Sequence, residues 1–207
     1  PKTDVKGATV AVYEFFDYQC LFCSKVSPEI EKLMASNKNV DFVFVEFPIF
    51  GKRWSESEYA AEVGTAIYKM KGADAYLKFH NTVFESGHDE GKLTNADVEA
   101  GAKAAGVDMA AVKETIKSAN IADHLQDTLK TGFEKVGIQG TPFLVVAPID
   151  GANADNTTVI AGYTEAAGIQ AAIDKATPKI SDTTAPATAE ENQAVKAVKD
   201  TADTTTA

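Results

Sequence analysis

The 207-residue chain is poor in cysteine: it holds two, one tryptophan and three histidines. Two cysteines cannot make the dense disulfide framework of a small secreted scaffold, and a chain of this length buries enough core not to need one. Basic charge is also in deficit, with 20 Lys and Arg against 30 Asp and Glu for a net charge of −10. That balance, with no Lys/Arg cluster, argues against binding nucleic acid or an anionic membrane by general electrostatics. Long apolar runs are missing too. The best candidate, "VDFVFVEFPIF", is interrupted by Asp41, Glu46 and Pro48 and falls short of the roughly 18 residues that span a bilayer. The sequence opens at Pro1 without a methionine or a charged-then-apolar leader, so we expect it to be processed or excised from a longer chain.

Both cysteines sit in one nine-residue stretch, "FFDYQCLFC", residues 15–23. Before it, "ATVAVYEFF" is short, β-branched and aromatic, the pattern of a buried strand. After it, Val26, Ile30, Leu33 and Met34 line one face of a helix, with Pro28 inside and a kink expected near it. Asn37 to Asn39 end that helix, and Val40 to Phe47 form a second strand, parallel to the first across a βαβ crossover. Strand signal returns only at "TPFLVV", Thr141–Val146. The intervening residues read as helices: one with Ala60, Val63, Ile67 and Met70 on its apolar face and Gly72 as its stop; one through Leu77, Val83 and Phe84; one capped by Thr94 with Asp97 three later and stopped by Gly106; one capped by Asp108; and one from Ile121 to Phe133. The turn-forming "DGANADN" then leads to a fourth strand, "TTVIAGY", antiparallel to the third, and "EAAGIQAAIDKA" closes as a helix. The fold class is α/β with a mixed central sheet and an inserted all-helical subdomain. Its parts are 1–50, the first half of the α/β domain; 51–136, the insertion; 137–177, the second half; and 178–207, a Thr/Ala-rich segment without aromatics that reads as a disordered or tether-like tail.

Four uses of Cys20 and Cys23 compete. Zinc needs about four ligands at fixed spacing, and His80, His88 and His124 are too dispersed to complete a set, so no metal is expected. A purely structural disulfide closing so short a loop restricts little of the unfolded chain. Inert buried thiols are common enough in cores. A redox pair fits the position best. Cys20 falls where strand gives way to helix, and the unpaired amides and dipole of a helix N-terminus stabilise a thiolate. Cys23, one turn further in, is then the more buried thiol that resolves a mixed disulfide. Pro142 opens a core strand without a donor to give. A cis Thr141–Pro142 bond would free backbone groups of Thr141 for an extended substrate peptide. A trans bond simply opening the strand is the alternative.

The order strand, "FFDYxCxxC", helix, strand, helical insertion, "GTP" plus strand, hairpin and final helix resembles the thioredoxin fold. The insertion and "FHNTVFE" resemble the DsbA branch of bacterial thiol:disulfide oxidoreductases, over roughly Gly7–Thr177. The resemblance implies that Cys20 is the exposed nucleophile and Cys23 the buried resolving cysteine, with their disulfide as the redox centre and no other cofactor. It implies that Thr141, Pro142 and the intervening Leu21 and Phe22 meet substrate. It places Glu14 beneath the site as a proton carrier, and strand alternation sets Glu14 on the apolar face of Val12 and Phe16, where a buried carboxyl titrates high. Members often carry Pro-His between the cysteines. Leu21-Phe22 offers no such positive charge, so a less depressed thiol and a weaker oxidant are expected. Threonine before the proline resembles isomerase relatives of the DsbC and DsbG type. The implied activity is formation or isomerisation of disulfides in secreted proteins, in the periplasm or outer envelope. The implied partners are unfolded or misoxidised secreted proteins and a membrane redox partner. Residues 1–207 are expected to be monomeric, the longer protein being oligomeric through a preceding segment. A thioredoxin-fold chaperone without redox turnover is the competing reading.

Overall fold

The computed structural model describes residues 1–178; the expected tail lies outside the described residues, apart from Pro178. Among these residues four strands and seven α-helices follow in the order β1 (Val10–Phe16), α1 (Leu21–Ser36), β2 (Val40–Glu46), α2 (Ser55–Lys71), α3 (Ala73–Glu85), α4 (Asn95–Ala104), α5 (Met109–Ser118), α6 (Ile121–Thr131), β3 (Phe143–Pro148), β4 (Thr158–Ala161) and α7 (Ala166–Ala176). The sheet order is β2-β1-β3-β4. β1 runs parallel to β2, in register from Val10 opposite Val40 to Phe16 opposite Glu46, and antiparallel to β3. β3 and β4 form the closing antiparallel hairpin. This is the thioredoxin-like DsbA fold with its mixed sheet and helical insertion.

Alternation decides what the strands bury. Val10, Val12, Glu14 and Phe16 of β1 share a buried face with Val40, Phe42, Phe44 and Glu46 of β2, and Leu144 and Val146 of β3 continue it. Cys23, Val26, Ile30 and Leu33 of α1, with Ile169, Ala172, Ile173 and Ala176 of α7, belong to the same core. The insertion docks through an aromatic cluster in which His80 of α3 lies 4.9–5.8 Å, centroid to centroid, from Phe16, Tyr18, Phe44, Tyr76 and Phe84. Residues 1–3 cover the β2 edge, Thr3 donating to the Phe42 carbonyl and Phe44 to that of Pro1.

The structure departs from the sequence reading at several element ends. α1 continues through Pro28 as one helix. β3 starts at Phe143 rather than Thr141, and the cis Thr141–Pro142 bond lies in the preceding loop. β4 shrinks to the four residues that find partners on β3. α6 stops at Thr131 and one π-helical turn, Gly132–Val136, follows. At its start Gly132 lies against Phe47, the residue after β2, where an added Cβ would sit 2.3 Å from Cε2, so only glycine lets the chain approach this closely.

Candidate active site

Cys20 ends the β1–α1 turn and caps α1, its sulfur accepting the Cys23 amide at 3.4 Å. Opposite, the Cys20 thiol donates to the Thr141 carbonyl at 3.2 Å. The structure thus brings together Cys20, Cys23 and the Thr141–Pro142 loop from positions over a hundred residues apart. Both cysteines are free thiols. The expected exposed nucleophile requires correction: Cys20 keeps only 5% of its surface, with the Thr141 carbonyl against its sulfur, and Cys23 keeps none. Phe22, by contrast, is 50% exposed and Leu21 half-buried, so the apolar surface at the site belongs to the residues between the cysteines. Lys25 Nζ lies 5.3 Å over the Phe22 ring and supplies a cation at the rim.

The two thiols titrate apart. A hydrogen bond from the Cys23 thiol, with the Thr141 side chain and the amides of Cys23 and Phe22, brings Cys20 down to about 7 against the opposing effect of partial burial. Burial, and then the hydrogen bond and charge at Cys20, push Cys23 well above the ordinary thiol range. The pair therefore combines one readily ionised thiol with one that keeps its proton. Thr141 Oγ1 is buried and makes no other hydrogen bond.

Glu14 lies mid-strand on β1, buried, with Oε2 unpartnered. Burial, and secondarily the charge at Cys20, raise its carboxyl to about 8. At neutral pH it holds a proton yet can release it. Among the described residues no cluster of three or more His, Cys, Asp or Glu could hold a metal.

Sequence reasoning missed two buried carboxyls. Asp17, 2% exposed, accepts from the Gln19 amide (2.8 Å), the Phe50 amide (2.9 Å) and the Ser57 hydroxyl (2.8 Å). Glu46 accepts from the hydroxyls of Tyr18 (3.0 Å) and Tyr76 (2.8 Å), and burial raises it to about 8. Strand alternation, which flags Glu14, flags Glu46 equally, on the face of Phe42 and Phe44. Asp17 has one local partner, the Gln19 amide two residues on, and its other two lie 33 and 40 residues away, where sequence reading does not reach.

A family model, the DSBA-like thioredoxin domain, matches residues 11–174. The chain belongs to this family. Among solved structures it is similar to BcfH of Salmonella enterica Typhimurium, with 37% identity, a TM-score of 0.72, and coverage of 85% of this chain and 73% of that one. It is also similar to a thioredoxin-like oxidoreductase from Silicibacter pomeroyi DSS-3, at 27% identity and TM-score 0.68, covering 85% and 91%. The fold alone is shared with the catalytic domain of Proteus mirabilis ScsC, at 23% identity and TM-score 0.64, covering 84% and 87%. No match was found among curated proteins. DsbA-like family members are thiol-disulfide oxidoreductases. No helix among the described residues is long and apolar enough to cross a membrane.

Proposed function

We propose that this protein exchanges disulfides with exported proteins in the bacterial envelope, forming or isomerising their bonds through Cys20 and Cys23. The observation that carries this reading is the Cys20 sulfur at the α1 N-cap, receiving the Cys23 amide and facing Thr141. In the reducing direction the Cys20 thiolate attacks a substrate disulfide, joins one sulfur and expels the other as a thiolate. Cys23 then passes its proton to the minor fraction of Glu14 that is ionised at neutral pH and attacks Cys20 Sγ, releasing the second substrate thiolate and leaving the Cys20–Cys23 disulfide. Oxidation of a substrate dithiol is the same path reversed. The pair carries two electrons itself, so the step calls on no further cofactor. Leu21 and Phe22 offer apolar contact to an unfolded chain, and the Thr141–Pro142 loop supplies backbone partners beside the sulfur.

The size of the Cys20 shift bears on direction. Lowering a thiol from 9.0 to about 7 stabilises the reduced form at pH 7 by less than about 1 kcal/mol. A thiol at about 3.5, the strong-oxidant end of the range, gains about 4.8 kcal/mol at pH 7 by the same arithmetic. This supports a weak oxidant suited to shuffling bonds as much as to making them. Substrates would be unfolded or misoxidised secreted proteins, with a membrane partner resetting the pair and no role for nucleic acid. The periplasmic or outer-envelope setting rests on the family, and we expect residues 1–207 to be monomeric.

Equilibration with glutathione gives the potential, and recovery of scrambled against reduced ribonuclease gives the direction. If Cys20→Ser keeps full activity in suppressing aggregation and the wild type exchanges no disulfide, the protein is a chaperone and this proposal fails.

A further inference from the structure

The turn that presents the cysteines is held from outside by the helical insertion. Asp17 lies three residues before Cys20, and its carbonyl accepts the Cys20 amide at 3.1 Å, closing the turn. Its backbone amide faces the Cys23 thiol. Its carboxylate gathers the Gln19 amide from the turn, the Phe50 amide from the β2–α2 loop and the Ser57 hydroxyl from the first turn of α2. Gln19, fully buried, extends the clamp: its carbonyl accepts the Glu90 amide (2.9 Å) and its side-chain oxygen the Gly91 amide (2.8 Å). Gly91 has φ +88° and lies against Trp54, where a Cβ would come within 2.7 Å of the indole nitrogen, so the α3–α4 loop is fitted to this place. The hydrogen bonds converge on Asp17 and Gln19, within the three residues before Cys20.

We propose that Asp17 is a positioning residue for thiol–disulfide exchange: with Ser57 it fixes the turn so that the first amides of α1 stay aimed at Cys20. The insertion thereby acts on the reactivity of the Cys20 thiol through the turn. Three donors leave the carboxylate few unused lone pairs, and a charge buried at this depth is stable only while they remain. Loss of one donor loosens the turn, and the amides of Phe22 and Cys23, which help to hold the thiolate, lose alignment. This inference rests on the proposed exchange chemistry but is read by a different measurement.

The test compares Ser57→Ala, Ser57→Thr and Asp17→Asn in the full chain, using the pH midpoint of Cys20 alkylation by iodoacetamide and the melting temperature of the oxidised protein. Ser57→Ala is the decisive variant because it removes one donor and leaves the Asp17 side chain itself unaltered. Its midpoint should rise by about half a pH unit, a roughly threefold smaller thiolate fraction at pH 6. Ser57→Thr keeps the hydroxyl and should restore the wild-type midpoint. In Asp17→Asn an amide N–H faces the Phe50 N–H, and the midpoint should rise further. A purely structural clamp would lower the melting temperature of Ser57→Ala and leave its midpoint unmoved; that result overturns the proposal, even where Asp17→Asn fails to fold. Wild-type protein that alkylates normally but exchanges no disulfide refutes the proposed function instead, and leaves the midpoint comparison readable.

Discussion

Replacing Thr141 by Val tests the site where its electrostatics and its packing point in opposite directions. Thr141 Oγ1 is buried and makes no other hydrogen bond, and the side chain helps to lower the Cys20 pKa. The hydroxyl is thus a donor held for the thiolate. A hydrogen bond to a charged group contributes about 1.5–3 kcal/mol. Discounted for the solvent that still reaches the sulfur, its loss should raise Cys20 by about one pH unit, or about 1.4 kcal/mol. The thiolate share at pH 7 then falls from about a half to about a tenth. The rate of alkylation at pH 7 falls less, because a more basic thiolate is the better nucleophile. The midpoint of the pH–rate curve is therefore the quantity to measure. The redox effect grows with pH: against glutathione, the variant disulfide should be about 26 mV less oxidising at pH 8.5 and only about 8 mV at pH 7.

Stability should move the other way. A buried hydroxyl without a partner costs about 1–3 kcal/mol, and valine nearly matches threonine in shape. Oxidised Thr141→Val should melt at or above the wild-type temperature while its reduced form loses thiolate. Thr141→Ser should keep the wild-type midpoint. An unmoved midpoint in Thr141→Val, or an equal rise in Thr141→Ser, would refute this reasoning.

Three other outcomes follow from the buried groups. Gly64 in α2 leaves room for Glu46 and its tyrosines: an added Cβ would lie 2.8 Å from Glu46 Oε1 and 3.0 Å from Phe79 Cε1. Gly64→Ala should therefore lower stability in urea by about 1–3 kcal/mol, although alanine favours the helix by about 1 kcal/mol. Glu14→Gln cannot take the Cys23 proton, so resolution of a mixed disulfide trapped on Cys20 should slow by about 100-fold; an unchanged rate, followed by quenched-flow, assigns the proton to water. Stability should also fall as pH rises. Glu14 and Glu46 keep their protons to about 8 in the fold, whereas in the unfolded chain they lose them near about 4.3. Each removes up to about 1.4 kcal/mol per pH unit between these limits. His80, lowered by burial to about 4, is neutral in the fold where the unfolded chain is protonated, and so offsets one carboxyl up to about pH 6.5. The steepest fall should lie between about pH 6.5 and 8. Urea titrations of the oxidised protein, in which Cys20 no longer ionises, should show it, and Glu46→Gln should halve it.

The features legible in the sequence share one property: each is encoded within a few neighbouring residues. Alternation in "VAVYEFF" places Glu14 inside, the strand-to-helix switch places Cys20 at a helix start, and Thr94 with Asp97 marks a capping box that the structure contains. What escaped depends on groups that meet only after folding. The covering of Cys20 comes from a loop 121 residues later. Gly132 meets Phe47 only in the folded chain, and Asp17 finds its two long-range partners on a different strand's loop and a different helix. These unread contacts nearly all join the insertion or the Thr141 loop to the cysteine turn. A two-residue spacing specifies that a pair of thiols can react. Their proton affinities, and so the direction of exchange, are set by the surroundings that the rest of the chain folds around them: Thr141 across the sulfur, Glu14 beneath it, and the Asp17 clamp behind it.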